Sequence, residues 1–221
     1  MQETTDSHTD NQADKARQLV RAALHHVPFD GWSDASLNAA AEECGITTAQ
    51  LAEILPGGPA AAVAVWLEMA DQEMCEGFAR LDPAPARIPE KIRALILLRL
   101  EQAAPHKMAV RRTLSFLARP DQAKRASQTL YRTVDAMWRA AGDRATDFSF
   151  YSKRATLSAV YSATLLAWLA DDSPDMDETK AFLDRRLADV ANIPKLVKPF
   201  SALRARFQAG GPGFRRRKRR P

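Results

Sequence analysis

A chain of 221 residues with 46% hydrophobic and 27% charged residues is long enough to bury a core without metal ions or disulfide bonds, and its 9 Gly and 13 Pro are too few for a low-complexity or collagen-like protein. The formal charge of +5 is uneven, because residues 195–221 hold ten basic side chains and no acidic one, whereas the remainder holds 22 basic against 27 acidic residues. The two cysteines, Cys44 and Cys75, lack CxxC spacing, which argues against a disulfide framework and a structural zinc site.

The N-terminal segment 1–14 is polar and acidic and contains no apolar run. We therefore expect it to be disordered and to be neither a signal peptide nor the start of a membrane span. A cytoplasmic location follows from this expectation.

Apolar residues then recur at helical spacing, and no stretch alternates with the period of two that is typical of strands. The first four helices are predicted over 15–26, 34–44, 47–55 and 59–80. The first should end at Val27-Pro28, because the residue before a proline disfavours helical geometry. Thr47 and Gln50 form a capping box that starts the third helix. The short spacing predicts a helix-turn-helix head over 15–80.

The charge of this head disfavours contact with nucleic acid. Residues 22–79 contain nine acidic side chains and no Lys or Arg, and the recognition helix over 47–54 carries no cation. Proteins that bind DNA neutralise phosphates with Lys and Arg. We therefore predict a degenerate head that keeps the fold and does not bind nucleic acid.

Five more helices are predicted after a proline-rich linker near residue 83, over 89–103, 106–118, 120–141, 147–170 and 174–190. Residues 155–170 contain no charged side chain, so the helix over 147–170 should lie centrally. A membrane span is the weaker interpretation, because the run falls short of about 20 residues and contains four Ser and Thr. Ser173 is expected to cap the last helix.

The residues offer little for catalysis. None of the four histidines belongs to an HExxH or ExxH pair, and no glycine-rich phosphate loop or GxSxG elbow occurs. We expect a protein that is not an enzyme and has no metal site and no cofactor.

Residues 193–208 are predicted to form a basic amphipathic helix that binds a membrane. Four apolar side chains share one helical face, and they are Leu196, Phe200, Leu203 and Phe207. The cations that flank this face are Lys195, Lys198, Arg204 and Arg206. The basic tail over 209–221 strengthens attachment to an anionic bilayer, since membrane anchoring generally needs two signals. Two alternatives stay open, namely a helix docked on its own domain and a tail that binds nucleic acid.

A further stretch near residues 137–154 is rich in aromatic side chains. The spacing of Phe148, Phe150 and Tyr151 spreads them around a helix, so some of them should be exposed. Aromatic side chains beside an arginine are typical anchors of protein interfaces. Burial of all of them in the core is an equally good interpretation of the spacing.

Several strings resemble one known family. They are HVPFDGW at 26–32, MW at 137–138 with AGD at 141–143, TDFSFYSKR at 146–154, DSPD at 172–175 and FLDRR at 182–186. Over residues 15–195 the chain resembles the ubiquinone-biosynthesis accessory family numbered ninth in the Coq series. The first half alone resembles only TetR-type regulators.

The resemblance implies an all-α, TetR-like fold of about ten helices, usually dimeric, with the degenerate head followed by a ligand-enclosing body over 81–192. The body would bind an isoprenoid quinone precursor or a phospholipid. The candidates for lining this site are Leu95, Leu98, Leu157, Tyr161, Leu165 and Trp168. A filled core would use the same residues.

The resemblance also implies a partner, the hydroxylase that acts on demethoxyubiquinone. By position, the contact surface would use Met137, Trp138, Phe150, Tyr151 and Arg154, with Phe150 standing where some relatives have Trp. The predicted function is non-enzymatic presentation of a polyprenyl quinone intermediate to this enzyme, on the cytoplasmic face of a bacterial inner membrane. The alternatives are a TetR-family regulator that senses an apolar ligand and, less favoured, an enzyme with an unrecognised site.

Overall fold

The computed structural model describes residues 3–143 and 148–191, and these two ranges contain helices and turns without a strand. The all-α prediction is confirmed. The helices in chain order are α1 (Glu3–Asp30), α2 (Asp34–Glu43), α3 (Thr48–Ile54), α4 (Gly58–Ala79), α5 (Ile88–Ala103), α6 (Lys107–Leu117), α7 (Ala123–Ala140), α8 (Phe148–Ala170) and α9 (177–191). Single 3-10 turns precede α6, α7 and α9.

Helix α1 is longer than the sequence predicted at both ends. It starts at Glu3, so the segment expected to be disordered is helical from there, and it continues through Pro28 to Asp30. Pro28 lies in the last turn, where its missing N–H costs only one bond of the helix ladder. Gly31, at a φ of 67°, then ends the helix and donates to the Val27 carbonyl at 2.9 Å.

The helix-turn-helix forms as its local signals predicted. Ser33 and Ser36 make the capping box of α2. At the start of α3, the Gln50 N–H donates to Thr47 Oγ1 at 3.3 Å and the Thr47 N–H donates to Gln50 Oε1 at 2.9 Å. The α1 extension reaches the other end of α3, where Gln12 Nε2 donates to the Glu53 carbonyl at 2.7 Å.

The head shares its core with the helices that follow it. Helix α1 contacts α2, α4 and α6, and α4 contacts α5 and α7. The rings of Trp32 and Trp66 lie 5.6 Å apart, and Trp32 Nε1 donates to Thr113 Oγ1 on α6 at 2.7 Å. A boundary between head and body at residue 80 stays a prediction, and the hydrogen bond from Trp32 to Thr113 crosses it.

Helix α8 lies within the body, as its lack of charge predicted, with Thr164 and Trp168 almost fully buried. Its last carbonyls are capped from α6, because Lys107 Nζ donates to Asp171 O at 2.6 Å and Arg111 donates to Leu169 O. Positive charge at the C-terminal end of a helix is favourable. No helix within 3–143 or 148–191 is both long and apolar enough to cross a bilayer.

The turn into α9 is held mainly by Asp171, where the sequence pointed to Ser173. The Asp171 carboxylate accepts hydrogen bonds from the backbone N–H and hydroxyl of both Ser173 and Thr179, at 2.5–2.8 Å. Burial opposes ionisation of this carboxyl, but the four bonds outweigh it and hold its pKa well below the usual range. Ser173 Oγ in turn accepts from the Glu178 N–H at 3.1 Å.

Candidate functional site

Two mainly apolar openings lie on opposite sides of α8. The first, which we call the inner cavity, has a volume of about 310 Å³, lies among α4, α5, α6, α7 and α8, and is partly open to solvent. The second, the outer groove, has a volume of about 370 Å³ and lies among α5, α7, α8 and α9. Volumes near 300 Å³ are at the lower end of small-molecule sites. Each opening therefore suits a ring or a short stretch of chain.

The inner cavity is apolar along its walls and polar at one end. Its walls are mainly aliphatic and aromatic, formed by Trp66, Leu100, Val110, Leu114, Leu130 and Leu165. Arg99, Thr133 and Tyr161 line the same cavity and are each less than 9% exposed. A charged group in such a setting must be paired or hydrogen-bonded to be tolerated.

The pairing comes from Asp71 on α4. Arg99 Nε donates to Asp71 Oδ1 at 3.2 Å, Arg99 Nη2 donates to the Leu67 carbonyl at 3.4 Å, and Thr133 Oγ1 donates to the Asp71 carboxylate at 2.9 Å. Burial raises the pKa of Asp71, and the charge of Arg99 and the Thr133 hydrogen bond oppose that rise. Burial also raises the pKa of the Tyr161 phenol. We call Asp71, Arg99, Thr133 and Tyr161 the polar end of the inner cavity.

The outer groove is lined by branched aliphatic side chains and one indole. Its apolar lining includes Ile92, Trp138, Leu157, Val160, Leu187 and Val190. Lys153 covers one side, with Nζ 5.6 Å from the centre of the Trp138 ring. Ala191, the last residue that the structure describes, also lines the groove.

Of the six residues predicted to line a lipid site, three line one of the two openings and three do not. Tyr161 and Leu165 line the inner cavity and Leu157 lines the outer groove. Leu95, Leu98 and Trp168 line neither opening. Leu95 and Trp168 are 0% and 2% exposed and fill the core, and Leu98 lies against α4 beside Gly77. Leucine-rich α5 and uncharged α8 have apolar side chains all round, so sequence could not say which of them face an opening.

The predicted partner surface also separates into exposed and buried members. Tyr151 is 68% exposed, Phe150 and Trp138 are half-buried, and Met137 and Arg154 are 0% and 4% exposed. Met137 and Arg154 are therefore not on the surface of the single chain, and a role for them in partner binding stays a prediction. The expectation that some aromatic side chains of this stretch are exposed is confirmed by Tyr151.

Arg154 instead packs against the Phe150 ring from the interior of the protein. Its guanidinium lies 3.3 Å from the centre of the Phe150 ring, its Nε donates to Asp135 Oδ1 at 2.7 Å and its Nη1 donates to the Phe150 carbonyl at 3.3 Å. Phe150 in turn meets the Tyr151 ring edge-to-face at 5.2 Å. Asp143 lies 3.7 Å from Arg154 and 2.8 Å from Lys153. We call Phe150 and Tyr151 with Trp138 the aromatic patch.

The eight predicted membrane-binding residues, Leu196, Phe200, Leu203, Phe207, Lys195, Lys198, Arg204 and Arg206, lie outside the described residues. The same holds for the basic tail over 209–221. Their role stays a prediction.

Sequence reasoning missed the polar end as a unit. Asp71 counted only as one of nine acids, and Thr133 carried no signal of its own. Arg99 was the better clue, because it interrupts the run Leu95-Ile96-Leu97-Leu98 and Leu100 on a helix that must be buried. Across the described ranges, no group of three or more His, Cys, Asp or Glu side chains is placed to hold a metal ion.

Comparison with solved structures defines the class of fold. The chain superposes on a crystal structure of the TetR transcriptional regulator from Nitrosomonas europaea with a TM-score of 0.64 and 22% identity, over 80% of this chain and 98% of that one. The fold is therefore TetR-like, as the sequence predicted.

Comparison with other sequences shows which proteins the chain resembles. The COQ9 family model matches residues 123–194, which span α7, α8 and α9. The mitochondrial ubiquinone biosynthesis proteins COQ9 of Rattus norvegicus and Homo sapiens are each 29% identical, over 82% of this chain and 60% and 59% of their own lengths. That of Drosophila melanogaster is 26% identical over 86% of this chain and 60% of its own. The predicted resemblance to this family is confirmed, and the chain spans about three fifths of these relatives.

Proposed function

We propose that the protein is a non-enzymatic, lipid-binding accessory protein of ubiquinone biosynthesis. In this role it binds a polyprenyl quinone intermediate and presents it to a membrane-associated hydroxylase acting on demethoxyubiquinone. Similarity to proteins named for ubiquinone biosynthesis supports the pathway. The observation that carries the proposal is the position of the outer groove.

The lining of the outer groove includes residues from two regions that presentation requires. Trp138 belongs both to its wall and to the aromatic patch, and Lys153 lies between them. At the other end, Val190 and Ala191 line the groove immediately before the predicted membrane helix. A lipid in this groove thus lies beside the aromatic patch and beside Ala191, which shortly precedes the predicted membrane helix in sequence.

The energetics favour partial extraction of the lipid. A polyprenyl chain prefers the bilayer by about 0.8 kcal/mol per buried methylene, so a protein must replace that contact for each methylene that it extracts. The aliphatic wall of the outer groove supplies such contact. Its volume of about 370 Å³ is too small for a whole polyprenyl tail, so the remainder of the tail stays in the membrane.

The setting of this function completes the proposal. The protein is peripheral on the inner face of the inner membrane and attached there by residues 193–208 and the basic tail. A phospholipid is the second ligand that the groove could hold. The TetR-like fold is often dimeric, and we propose a homodimer here.

A pair of tryptophan substitutions on α8 tests the lipid site. Thr156 lines the outer groove, whereas the neighbouring Ala155 points to solvent. Thr156→Trp should fill the groove and remove lipid that copurifies with the full chain, as measured by mass spectrometry after solvent extraction. Ala155→Trp, the matched control, should retain it. Equal lipid in the two variants, or no lipid in the wild-type protein, would contradict the proposal.

The regulator alternative is opposed by the charge on the head. Glu42, Glu43 and Glu53 are exposed around α3. Negative potential there repels the phosphate backbone. Salt-sensitive, sequence-selective retention of genomic fragments in a gel-shift assay would favour the regulator instead.

A further inference from the structure

The outer side of α6 combines cations with an exposed apolar side chain. Its solvent-facing residues are Met108, Arg111, Arg112 and Ser115. These positions are three and four residues apart, so they share one face of the helix. Met108 is 50% exposed, whereas the opposite side of α6 is buried in the core. This side of α6 lines neither the inner cavity nor the outer groove.

The end of α1 adds an aromatic ring to this surface. Phe29 is 80% exposed, more than any other large hydrophobic side chain in the described ranges. Arg112 joins α1 to α6, because its Nε donates to the Pro28 carbonyl at 3.1 Å and its Nη2 donates to the Phe29 carbonyl at 3.3 Å. We call Phe29, Met108, Arg111 and Arg112 the α6 face.

The positive charge of the α6 face is not neutralised by ion pairs. Residues 102–120 contain four Lys or Arg and no acid. Arg111 and Arg112 donate to neutral backbone carbonyls, and neither pairs with a carboxylate of the described residues. A hydrogen bond to a carbonyl leaves the charge of the guanidinium in place. Asp30, which follows Phe29, offsets part of this charge.

The shape and charge of the α6 face favour a bilayer over other anionic partners. Phe29 and Met108 project into solvent and line neither opening, so an acidic protein would have to supply a pocket for them. A nucleic acid would leave both apolar side chains in water. An anionic bilayer takes up apolar side chains at its interface and attracts cations to its headgroups. It therefore complements both the charge and the apolar side chains.

We propose that the α6 face is a membrane-contact site separate from residues 193–208. Phe29 and Met108 enter the interface of an anionic bilayer, and Arg111 and Arg112 lie against the lipid phosphates. Apolar insertion and charge attraction are each weak, and together they give reversible binding. The inference does not require residues 193–208 to bind a membrane.

The α6 face lies at the opposite end of α8 from the aromatic patch. Arg111 donates to the Leu169 carbonyl near the end of α8, and Tyr151 lies near its start. From Tyr151 to Leu169 an α-helix rises about 27 Å, at about 1.5 Å per residue. The bilayer and a protein partner at the aromatic patch can thus be bound at the same time.

A fluorescent probe at position 108 tests the contact directly. The full chain, with Cys44→Ala and Cys75→Ala, receives Met108→Cys labelled with the dye NBD, whose emission shifts to shorter wavelength in an apolar medium. Tyr131→Cys is the matched control, because Tyr131 is 45% exposed and lies in a separate groove between α4 and α7. We expect vesicles of phosphatidylcholine with 30 mol% phosphatidylglycerol to shift the emission at position 108 and not at 131. No shift at 108, or equal shifts at both positions, would overturn the inference.

A charge introduced at the same position tests the energetics without a dye. Met108→Glu places a carboxylate in the first turn of α6, where negative charge is favourable, so the fold should be unaffected and a thermal melt checks this. Partition into the same vesicles should weaken about tenfold, equivalent to about 1.4 kcal/mol, because an apolar contact is lost and a repulsive charge is added. Tyr131→Glu carries the same added charge and should stay within about twofold of the wild type. Wild-type partition of Met108→Glu would refute the α6 face.

A third labelled position separates the α6 face from the predicted membrane helix. Phe200→Cys, labelled in the same way, reports on residues 193–208. A shift at position 200 without one at 108 would refute the α6 face and leave the C-terminal contact of the proposed function standing. A shift at 108 without one at 200 would support the α6 face and remove that C-terminal contact.

Discussion

The ion pair between Asp135 and Arg154 lies beneath the aromatic patch and can be perturbed without touching the exposed rings. Its two side chains are 10% and 5% exposed and meet at 2.7 Å. Removing one partner of a buried pair costs about 3–5 kcal/mol, because the other charge is left without compensation. Asp143 remains 3.7 Å from Arg154 and compensates part of its charge. Asp135→Asn should therefore lower the unfolding free energy by less than this, by about 2 kcal/mol.

The double variant Asp135→Leu/Arg154→Met separates stability from recognition. It removes both charges together and replaces them with apolar side chains of similar size, so its unfolding free energy should lie within about 1 kcal/mol of the wild-type value. It also removes the guanidinium under Phe150, so capture of the hydroxylase should still weaken. The checks are urea unfolding at pH 7 and a pull-down with the hydroxylase. The reasoning fails if Asp135→Asn costs less than about 0.5 kcal/mol, or if the double variant captures the enzyme as well as the wild type.

Three other changes probe the surface, the C-terminal segment and the turn into α9. Tyr151→Lys should weaken the hydroxylase pull-down with little loss of copurifying lipid, because Tyr151 is exposed and lines neither opening; an intact complex would refute its role. Replacement of Phe200, Leu203 and Phe207 by Ser should abolish flotation with anionic liposomes while leaving the thermal transition near the wild-type value, and unchanged flotation would reject the anchor. Asp171→Asn should lower stability at neutral pH. Because the folded-state pKa of Asp171 is depressed, its contribution is present above the unfolded pKa of about 4 and lost below it, so the gap between variant and wild type in acid unfolding curves should narrow only below about pH 4. A gap that shrinks between pH 7 and 5 would contradict this.

The sequence predicted correctly those features that depend on residues close together in the chain. The Thr47–Gln50 capping box formed because the two residues are one helical turn apart. The sequence underestimates the helical length of α1, because the bias against helical geometry before Pro28 is overridden where Val27 packs in the core, and because the N-terminal turns have no apolar pattern. Such features depend on position within the helix more than on residue type.

The candidate sites were predicted less well, because they are assembled across the chain. Arg99 and Asp71 are 28 residues apart in sequence, and Thr133 is 62 residues from Asp71. Met137 and Trp138 are adjacent, yet one is buried and the other lines the outer groove. Spacing along a helix defines a face, but only packing decides what covers that face.

Trp66 gives the N-terminal unit a role that does not depend on nucleic acid. The Trp66 indole packs against Trp32 and also lines the inner cavity. Thr113, which accepts a hydrogen bond from Trp32, lines the same cavity. A fragment that starts after residue 80 would lack one side of that chamber and would leave α6 without its tryptophan neighbour. The first four helices thus supply part of the wall of the inner cavity. Removing them would leave the remaining helices with an incomplete cavity.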